Sequence, residues 1–268
     1  MTSQTAKAER FRDLHLGDHF VMPNPWDAGS ARVLAALGFP ALATTSSGFA
    51  FTLGRVDGTV TLEEMAEHAR AVDRATELPV SVDLENGYGS DSASAARAIE
   101  RVAEAGAVGG SIEDYDPEDR RLYEIDHGAE RIVAASEVAD ALPFPFMLTA
   151  RAENHIRGNP HLDDTITRLR AYEAAGADVL YAPGLRSAAE VRAVCEAVSR
   201  PVNVLATTGL TFAEIVRAGG QRVSVGGGLA WVAVAAMMDA AKRLAEGDLS
   251  VLSADSPPSA WFLDEQGT

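Results

Sequence analysis

Eight times along the chain a short, mostly apolar run is followed by an amphipathic, alanine-rich stretch, and this alternation restricts the fold more than any other feature. The first four runs are HFVMPNP (19–25), ALATTSSG (41–48), PVSVDLENG (79–87) and GGSIEDY (109–115). The others are FMLTARAE (146–153), VLYAPG (179–184), PVNVLA (201–206) and RVSVGG (222–227). They are rich in β-branched or aromatic residues and lack strict alternation, the pattern of strands covered on both faces.

The intervening stretches read as helices. Leu62, Met65, Ala69 and Val72 recur at helical spacing from Leu62 to Ala75, with Thr61 as N-cap and Glu64 closing a capping box. Ala95, Ala98, Ile99 and Val102 share one face between Ser92 and Ala105. Glycines precede the next strand in LAALGFPA, AEAGAVGG, EAAGADVL and VRAGGQRV, where each supplies a left-handed helix cap. Repeated strand–helix–Gly–strand units imply repeated right-handed crossovers. Eight units in about 230 residues predict a closed (β/α)₈ TIM barrel. An open doubly wound sheet usually carries a Gly-rich phosphate turn after its first strand, and PNPWDAGS is no such turn. No linker divides residues 1–268, so one domain is expected, with a C-terminal tail over about 246–268. In that tail Pro257 and Pro258 break any helix, and Trp261, Phe262 and Leu263 form an apolar group that packs on its own barrel or on a neighbouring subunit.

A formal net charge of −16 repels phosphate backbones and anionic lipid, which argues against nucleic-acid and membrane partners. The single cysteine, Cys195, permits no internal disulfide and points to a reducing compartment. With no secretory leader pattern and no apolar run of about 20 residues, the expected location is cytoplasmic.

In a (β/α)₈ barrel, chemistry gathers at the C-terminal ends of the strands. The second strand runs into Thr44, Thr45, Ser46, Ser47 and Gly48, followed by Arg55 and Asp57; the third ends in Asp83, Glu85 and Asn86. The fourth ends in Glu113, Asp114 and Asp116, and the fifth in Arg151, Glu153, Asn154 and His155; the seventh carries Asn203. Asp57, Asp83, Glu85 and Glu113 on neighbouring strands repel one another unless a cation or raised pKa values relieve them. Oxygen ligands without a His or Cys cluster favour a hard ion such as Mg²⁺, with Mn²⁺ a possible substitute. Arg151 is placed either to hold a carboxylate bidentately or to pair with Glu153 or an acid of the fourth strand. His15, His19, His68 and His161 are expected on surfaces, and Cys195 as a packed thiol on an outer helix. There is no HExxH, GxSxG or Walker pattern.

The runs SVDLENGYG, GGSIEDY, LTARAEN and ADVLYAPG, with NPWDAGSAR and TTSSGFA before them, resemble the isocitrate lyase/phosphoenolpyruvate mutase superfamily over residues 20 to 230. The resemblance implies a (β/α)₈ barrel, commonly a tetramer with a helix exchanged between subunits. It implies that Asp83 and Glu113 bind Mg²⁺, directly or through water, with Asp57 and Glu85 in support. Ser47, Gly48 and Phe49 would give backbone contacts to an oxo-acid, Arg151 would bind its carboxylate, and Trp26 and Asn203 would line the site. The family's lyases carry a Lys-Lys-Cys-Gly-His motif after the fourth strand. Here the stretch reads EDYDPEDRRLYEIDHGAERI, without Cys or Lys. It offers Arg120, Arg121, Tyr123 and His127, of which Tyr123 or Arg121 is placed to reach a substrate.

The chemistry expected from this set is that of an Mg²⁺-dependent lyase or decarboxylase acting on a small 2-oxo or 2-hydroxy carboxylate through a stabilised enolate. Decarboxylation needs an electron sink and no general acid or base to cleave the bond, which suits the missing cysteine and points to an oxaloacetate decarboxylase-like reaction. Glu113, Arg151 and Tyr123 are the expected catalytic groups. The alternatives are methylisocitrate-type C–C cleavage, phosphonopyruvate C–P chemistry, or a silent barrel that binds a 2-oxo acid. A homotetramer with an exchanged C-terminal segment completes the expectation.

Overall fold

Each of the eight apolar runs contains a strand in the computed structural model, which describes residues 2–207 and 209–253. The barrel strands are β1 (Phe20–Met22), β2 (Leu42–Ala43), β3 (Val80–Asp83), β4 (Gly109–Glu113), β7 (Met147–Arg151), β8 (Val179–Tyr181), β9 (Val202–Leu205) and β10 (Arg222–Ser224). A two-stranded hairpin, β5 (Tyr115–Asp116) and β6 (Arg121–Leu122), follows β4. The helices are α1 (Gln4–Leu14), α2 (Ala28–Ala36), α3 (Ser46–Thr52), α4 (Leu62–Arg74), α5 (Ser92–Glu104) and α6 (Ile125–Ala141). They continue as α7 (Leu162–Ala174), α8 (Ala188–Ala197), α9 (Phe212–Arg217) and α10 (Gly228–Ala245).

All eight barrel strands run parallel in the order β1-β10-β9-β8-β7-β4-β3-β2. The two ends of this sheet meet where the Ala43 N–H donates to the Pro23 carbonyl at 3.1 Å, so the chain is a single-domain (β/α)₈ barrel. The capping box of α4 is present, with Thr61 N–H on Glu64 Oε2 at 2.9 Å. Gly38, Gly106, Gly176 and Gly219 all take positive φ between helix and strand, as their sequence positions require. At Gly106 a β-carbon would also stand 2.5 Å from Asp73 Oδ2.

Two local expectations are corrected. The run from residue 41 to 48 is strand only to Ala43; Thr45 then caps α3, so Ser46 to Gly48 form a helix N-terminus. His15 and His68 are buried at 4% and 6% exposure, not on the surface. His68 stacks on Phe49, and His15 sits between Phe11 and Phe20 because α1 closes the N-terminal end of the barrel.

The last helix differs from the others. Only Ala230 of α10 is buried, while Trp231, Val232, Met237 and Met238 are exposed. A 3₁₀ turn, Leu249–Ser253, ends the described chain. Pro257, Pro258, Trp261, Phe262 and Leu263 lie outside the described residues. No helix among the described residues is long and apolar enough to cross a membrane.

Candidate active site

Because β3, β4 and β7 are neighbours in register, Asp83 pairs with Ser111 and Glu113 with Arg151 at the same rim of the barrel. Arg151 is the centre of the resulting cluster. Its Nη1 lies 3.3 Å from Glu113 Oε2 and 3.7 Å from Asp83 Oδ1, and its Nε donates to Glu153 Oε1. Its guanidinium also faces the Tyr181 ring at 5.3 Å. Burial works against the charge of Arg151, and Glu113, Glu153 and Asp83 outweigh it, so the group stays protonated.

The carboxylates are under opposite pressure. Burial, then the charges of Asp83 and Asp57, push Glu85 up to about 8. Glu113 is likewise raised well above the usual carboxylate range by burial, with Glu153 and Asp83 adding to it. Desolvation also raises Asp57, whose loop is exposed but whose carboxyl bonds the Ser46 hydroxyl. Glu85 and Tyr88 both sit in left-handed backbone, at φ 49° and 62°. Neither Glu85 Oε1 nor the Tyr88 hydroxyl has a hydrogen-bond partner among the described residues, although both atoms are buried.

The N-terminus of α3 supplies the donors. Ser46 N–H donates to Asp83 Oδ2 at 3.2 Å, and Gly48 N–H to Thr45 Oγ1 at 3.4 Å. The Phe49 N–H is taken by the Thr45 carbonyl at 3.0 Å, which leaves Ser47, of the three expected donors, without an acceptor among the described residues. Gly48 is needed for packing: a β-carbon there would meet Thr45 Cγ2 at 2.6 Å and Trp26 Cβ at 3.0 Å. Trp26 is thus placed behind α3.

Below the rim lies a polar cavity of about 50 Å³, with Asp83 and Arg151 at its top and Asn24, Thr44, Ser111 and Asn203 among its walls. Asn203 donates to Ser224 Oγ at 2.9 Å and accepts from Arg222 Nε at 2.8 Å, so its amide is fixed. Arg222 also donates to Thr149 Oγ1 at 2.9 Å. It has no carboxylate partner among the described residues, and burial lowers it to about 9.

Not every expected residue joins this cluster. Tyr123 is buried at 3% exposure, its hydroxyl accepting from Asn86 Nδ2 at 3.1 Å and its ring under the Arg131 guanidinium. Arg121 is exposed and pairs with Asp119. Sequence reasoning missed Arg157 and Tyr115: Arg157 lies 3.8 Å over the Tyr115 ring, and its Nε donates to Glu153 Oε2 at 2.9 Å. The one signal for it was the i,i+4 spacing of Glu153 and Arg157. Also missed was Asp114 as a tie point. It accepts the Glu153 N–H at 2.8 Å, Arg168 Nη1 at 3.0 Å and the Tyr172 hydroxyl at 2.5 Å, locking the ends of β4 and β7 to α7.

The donor chemistry fits a divalent cation. Among the described residues no three acidic, histidine or cysteine side chains converge on one point, because Arg151 stands between Asp83 and Glu113. Yet the ligands on offer are all oxygens, they repel one another, and Glu85 Oε1 is buried without a partner. Mg²⁺ commonly keeps most of its waters and takes one or two carboxylates, which this arrangement provides in Asp83 and Glu113.

A family model described as phosphoenolpyruvate phosphomutase matches residues 11–245. An oxaloacetate decarboxylase of Bradyrhizobium diazoefficiens is 33% identical over 207 residues, covering 74% of this chain and 70% of its own. A 2-methylisocitrate lyase of Halalkalibacterium halodurans is 34% identical, covering 75% of this chain and 67% of its own. The crystal structure of a candidate lyase/mutase from Burkholderia cenocepacia J2315 superposes with a TM-score of 0.93 at 48% identity, covering 97% of this chain and 95% of that one.

Proposed function

Given that the chain belongs to the phosphoenolpyruvate phosphomutase family, within the isocitrate lyase/phosphoenolpyruvate mutase superfamily of carbon–carbon lyases, we propose that it decarboxylates a small 2-oxo acid of the oxaloacetate type. The observation that carries this reading is the Arg151–carboxylate cluster beside a hairpin that contains no thiol, amine or imidazole between Tyr115 and Leu122. The family's cleavage of longer 2-hydroxy acids uses a loop cysteine as acid or base, and that hairpin has no thiol to take the role. Loss of CO₂ from the carboxylate β to the oxo group needs a place for the C3–C4 bond pair, which the C2 oxygen takes as an enolate. Water then supplies the proton that C3 needs to give the 2-oxo-acid product.

In this reading Arg151 grips the carboxylate next to the oxo group with its planar fork. The Ser47 N–H, in the first turn of α3, faces the oxygen on which negative charge develops. Asp83 holds the first turn of α3 through the Ser46 N–H, so these donors are in place before the substrate arrives. Asn203, held by Arg222 and Ser224, lines the floor in a fixed orientation. Asp83 and Glu113, supported by Asp57 and Glu85, are the residues that would hold Mg²⁺ or Mn²⁺. Bound there, such an ion supplies Lewis-acid polarisation of the substrate carbonyl.

The exposed apolar face of α10 supports a homo-oligomer in which this helix docks on a second copy, a tetramer being the assembly we propose. Cys195, a free thiol raised to about 11 by burial, fits the reducing environment of the cytoplasm.

The test is proton NMR of the Mg²⁺-loaded protein with oxaloacetate, beside an Asp83→Ala control. Pyruvate formed faster than with Mg²⁺ alone, and lost in the variant, supports the reading. Turnover of phosphonopyruvate or 2-methylisocitrate in its place sinks it.

A further inference from the structure

A second arginine stands at the rim of the site. Arg157 follows β7 in the loop that also carries Glu153, and three contacts fix its head group. Nε donates to Glu153 Oε2 at 2.9 Å, the guanidinium lies 3.8 Å over the Tyr115 ring, and Nη2 stands 3.6 Å from Glu113 Oε1. Its side chain is 36% exposed, and neither terminal nitrogen donates a hydrogen bond among the described residues. The usual cost of using an arginine is the entropy of holding a long side chain still. Here stacking and the Nε bond have already met that cost, and the terminal nitrogens keep hydrogen-bonding capacity for a ligand, with Nη2 in the field of Glu113.

The position of this fork matters. Glu153 is fully buried and holds Arg151 on one oxygen and Arg157 on the other, so one carboxylate sets the two guanidinium groups side by side. Arg157 also acts on Glu85 across the site, which places its charge inside the carboxylate cluster. A mouth surrounded by Asp57, Asp83, Glu85 and Glu113 repels any second negative group on a substrate unless a cation is reserved for it.

We propose that Arg157 is a specificity-determining residue that receives a second anionic group, so that the substrates of this site are dianions bridging Arg151 and Arg157. This rests on the reading of the mouth as an oxaloacetate-type 2-oxo-acid site and assigns the residue that receives the second acid group of such a substrate. Glu153 and Glu113 already neutralise part of the charge on Arg157. A departing carboxylate is therefore recognised there without being held so firmly that its conversion to neutral CO₂ is opposed.

Binding, measured by calorimetry in Mg²⁺-containing buffer, tests this without any turnover. Malate and lactate share a 2-hydroxy-carboxylate end and differ by a second carboxylate. The wild type is expected to bind malate at least tenfold more tightly than lactate. Arg157→Gln should weaken malate by about 10- to 100-fold, the range for a lost charged hydrogen-bond pair, and leave lactate within twofold. Arg157→Lys keeps the charge but not the fork and should fall between. Equal effects on malate and lactate, no effect on malate, or no wild-type preference for malate would each overturn the assignment. If malate discrimination follows Arg157 while oxaloacetate is not decarboxylated, the recognition stands and the reaction assigned above is what fails.

Discussion

His15 accepts a hydrogen bond from Arg222 at the closed end of the barrel, with Nη1 of the arginine 3.0 Å from Nε2 of the histidine. The tautomer follows from the partner on the other side: Nδ1 lies 2.8 Å from the Phe11 carbonyl, which can only accept, so Nδ1 carries the proton and Nε2 the lone pair. A neutral imidazole is therefore built into the contact between α1 and the barrel interior.

That arrangement makes stability pH-dependent. Burial, then the Arg222 charge, lower His15 to about 3, and burial lowers His68 to about 4. The unfolded chain, with histidines near 6.5, binds the extra protons, so their contribution is complete at neutral pH and is lost as pH falls below about 6.5. Glu85, raised to about 8, titrates in the opposite sense over part of the same range. The histidine effect is therefore read as a difference. Between pH 7.5 and 5.0 the wild type should lose about 2 kcal/mol more than His15→Gln in urea unfolding. Parallel losses in both proteins would refute the assignment of His15 as buried and neutral.

Cation binding should release protons. Burial raises both Glu85 and Glu113, with Asp83 and Asp57 adding to the first and Glu153 and Asp83 to the second, and a bound divalent ion requires them ionised. Mg²⁺ affinity should climb with pH from about 6.5 and level off near 8, where Glu85 ionises by itself. Calorimetry in two buffers of different ionisation enthalpy measures the released protons, and identical heats in both would contradict the prediction. Chelation should abolish turnover, and added Mg²⁺ should restore it.

Gly48→Ala tests how tightly α3 is seated. Alanine normally favours a helix interior by up to about 1 kcal/mol over glycine. Here its β-carbon meets Thr45 Cγ2 at 2.6 Å and Trp26 Cβ at 3.0 Å, so the helix must shift or lose its Thr45 cap. We expect a net destabilisation of about 1–2 kcal/mol by thermal melting, with a larger proportional loss of turnover because the Ser47 N–H moves with the helix. An unchanged melting temperature would show that the first turn is free to adjust.

The exposed face of α10 is testable by mass in solution. Replacing Trp231 and Met237, at 48% and 59% exposure, together by glutamate should leave the barrel's circular dichroism unchanged and convert an oligomer to monomers in sedimentation velocity. A wild type that sediments as a monomer at tens of micromolar rules out the proposed assembly.

Much of the barrel was legible because its strands are buried on both faces and its helices end in glycines that the backbone needs at positive φ. The boundary of β2 was not, since Thr44 and Thr45 prolong a β-branched run although Thr45 serves as the cap of α3. The β5–β6 hairpin has two residues per strand, too short for any period to show. In the candidate site, Asp83, Glu85, Glu113 and Arg151 could be placed because strand ends fix where they emerge. Arg157 and Tyr115 meet through the paths of two loops, which no local pattern encodes. His15 looked like a surface residue because α1 has few apolar side chains; that Phe11 and His15 plug the barrel depends on the whole fold.

The left-handed backbone at Glu85 and Tyr88 has a consequence for how this protein can change. Glycine would rest there without strain, whereas each larger residue costs about 1–3 kcal/mol unless its surroundings hold it. Substitutions that relax the loop, Glu85→Gly above all, should therefore raise stability while removing an acid from the rim. A lineage of this chain drifting toward robustness would give up Glu85 before any other acid of the rim, gaining a sturdier loop and a weaker hold on whatever charge the rim is built to meet.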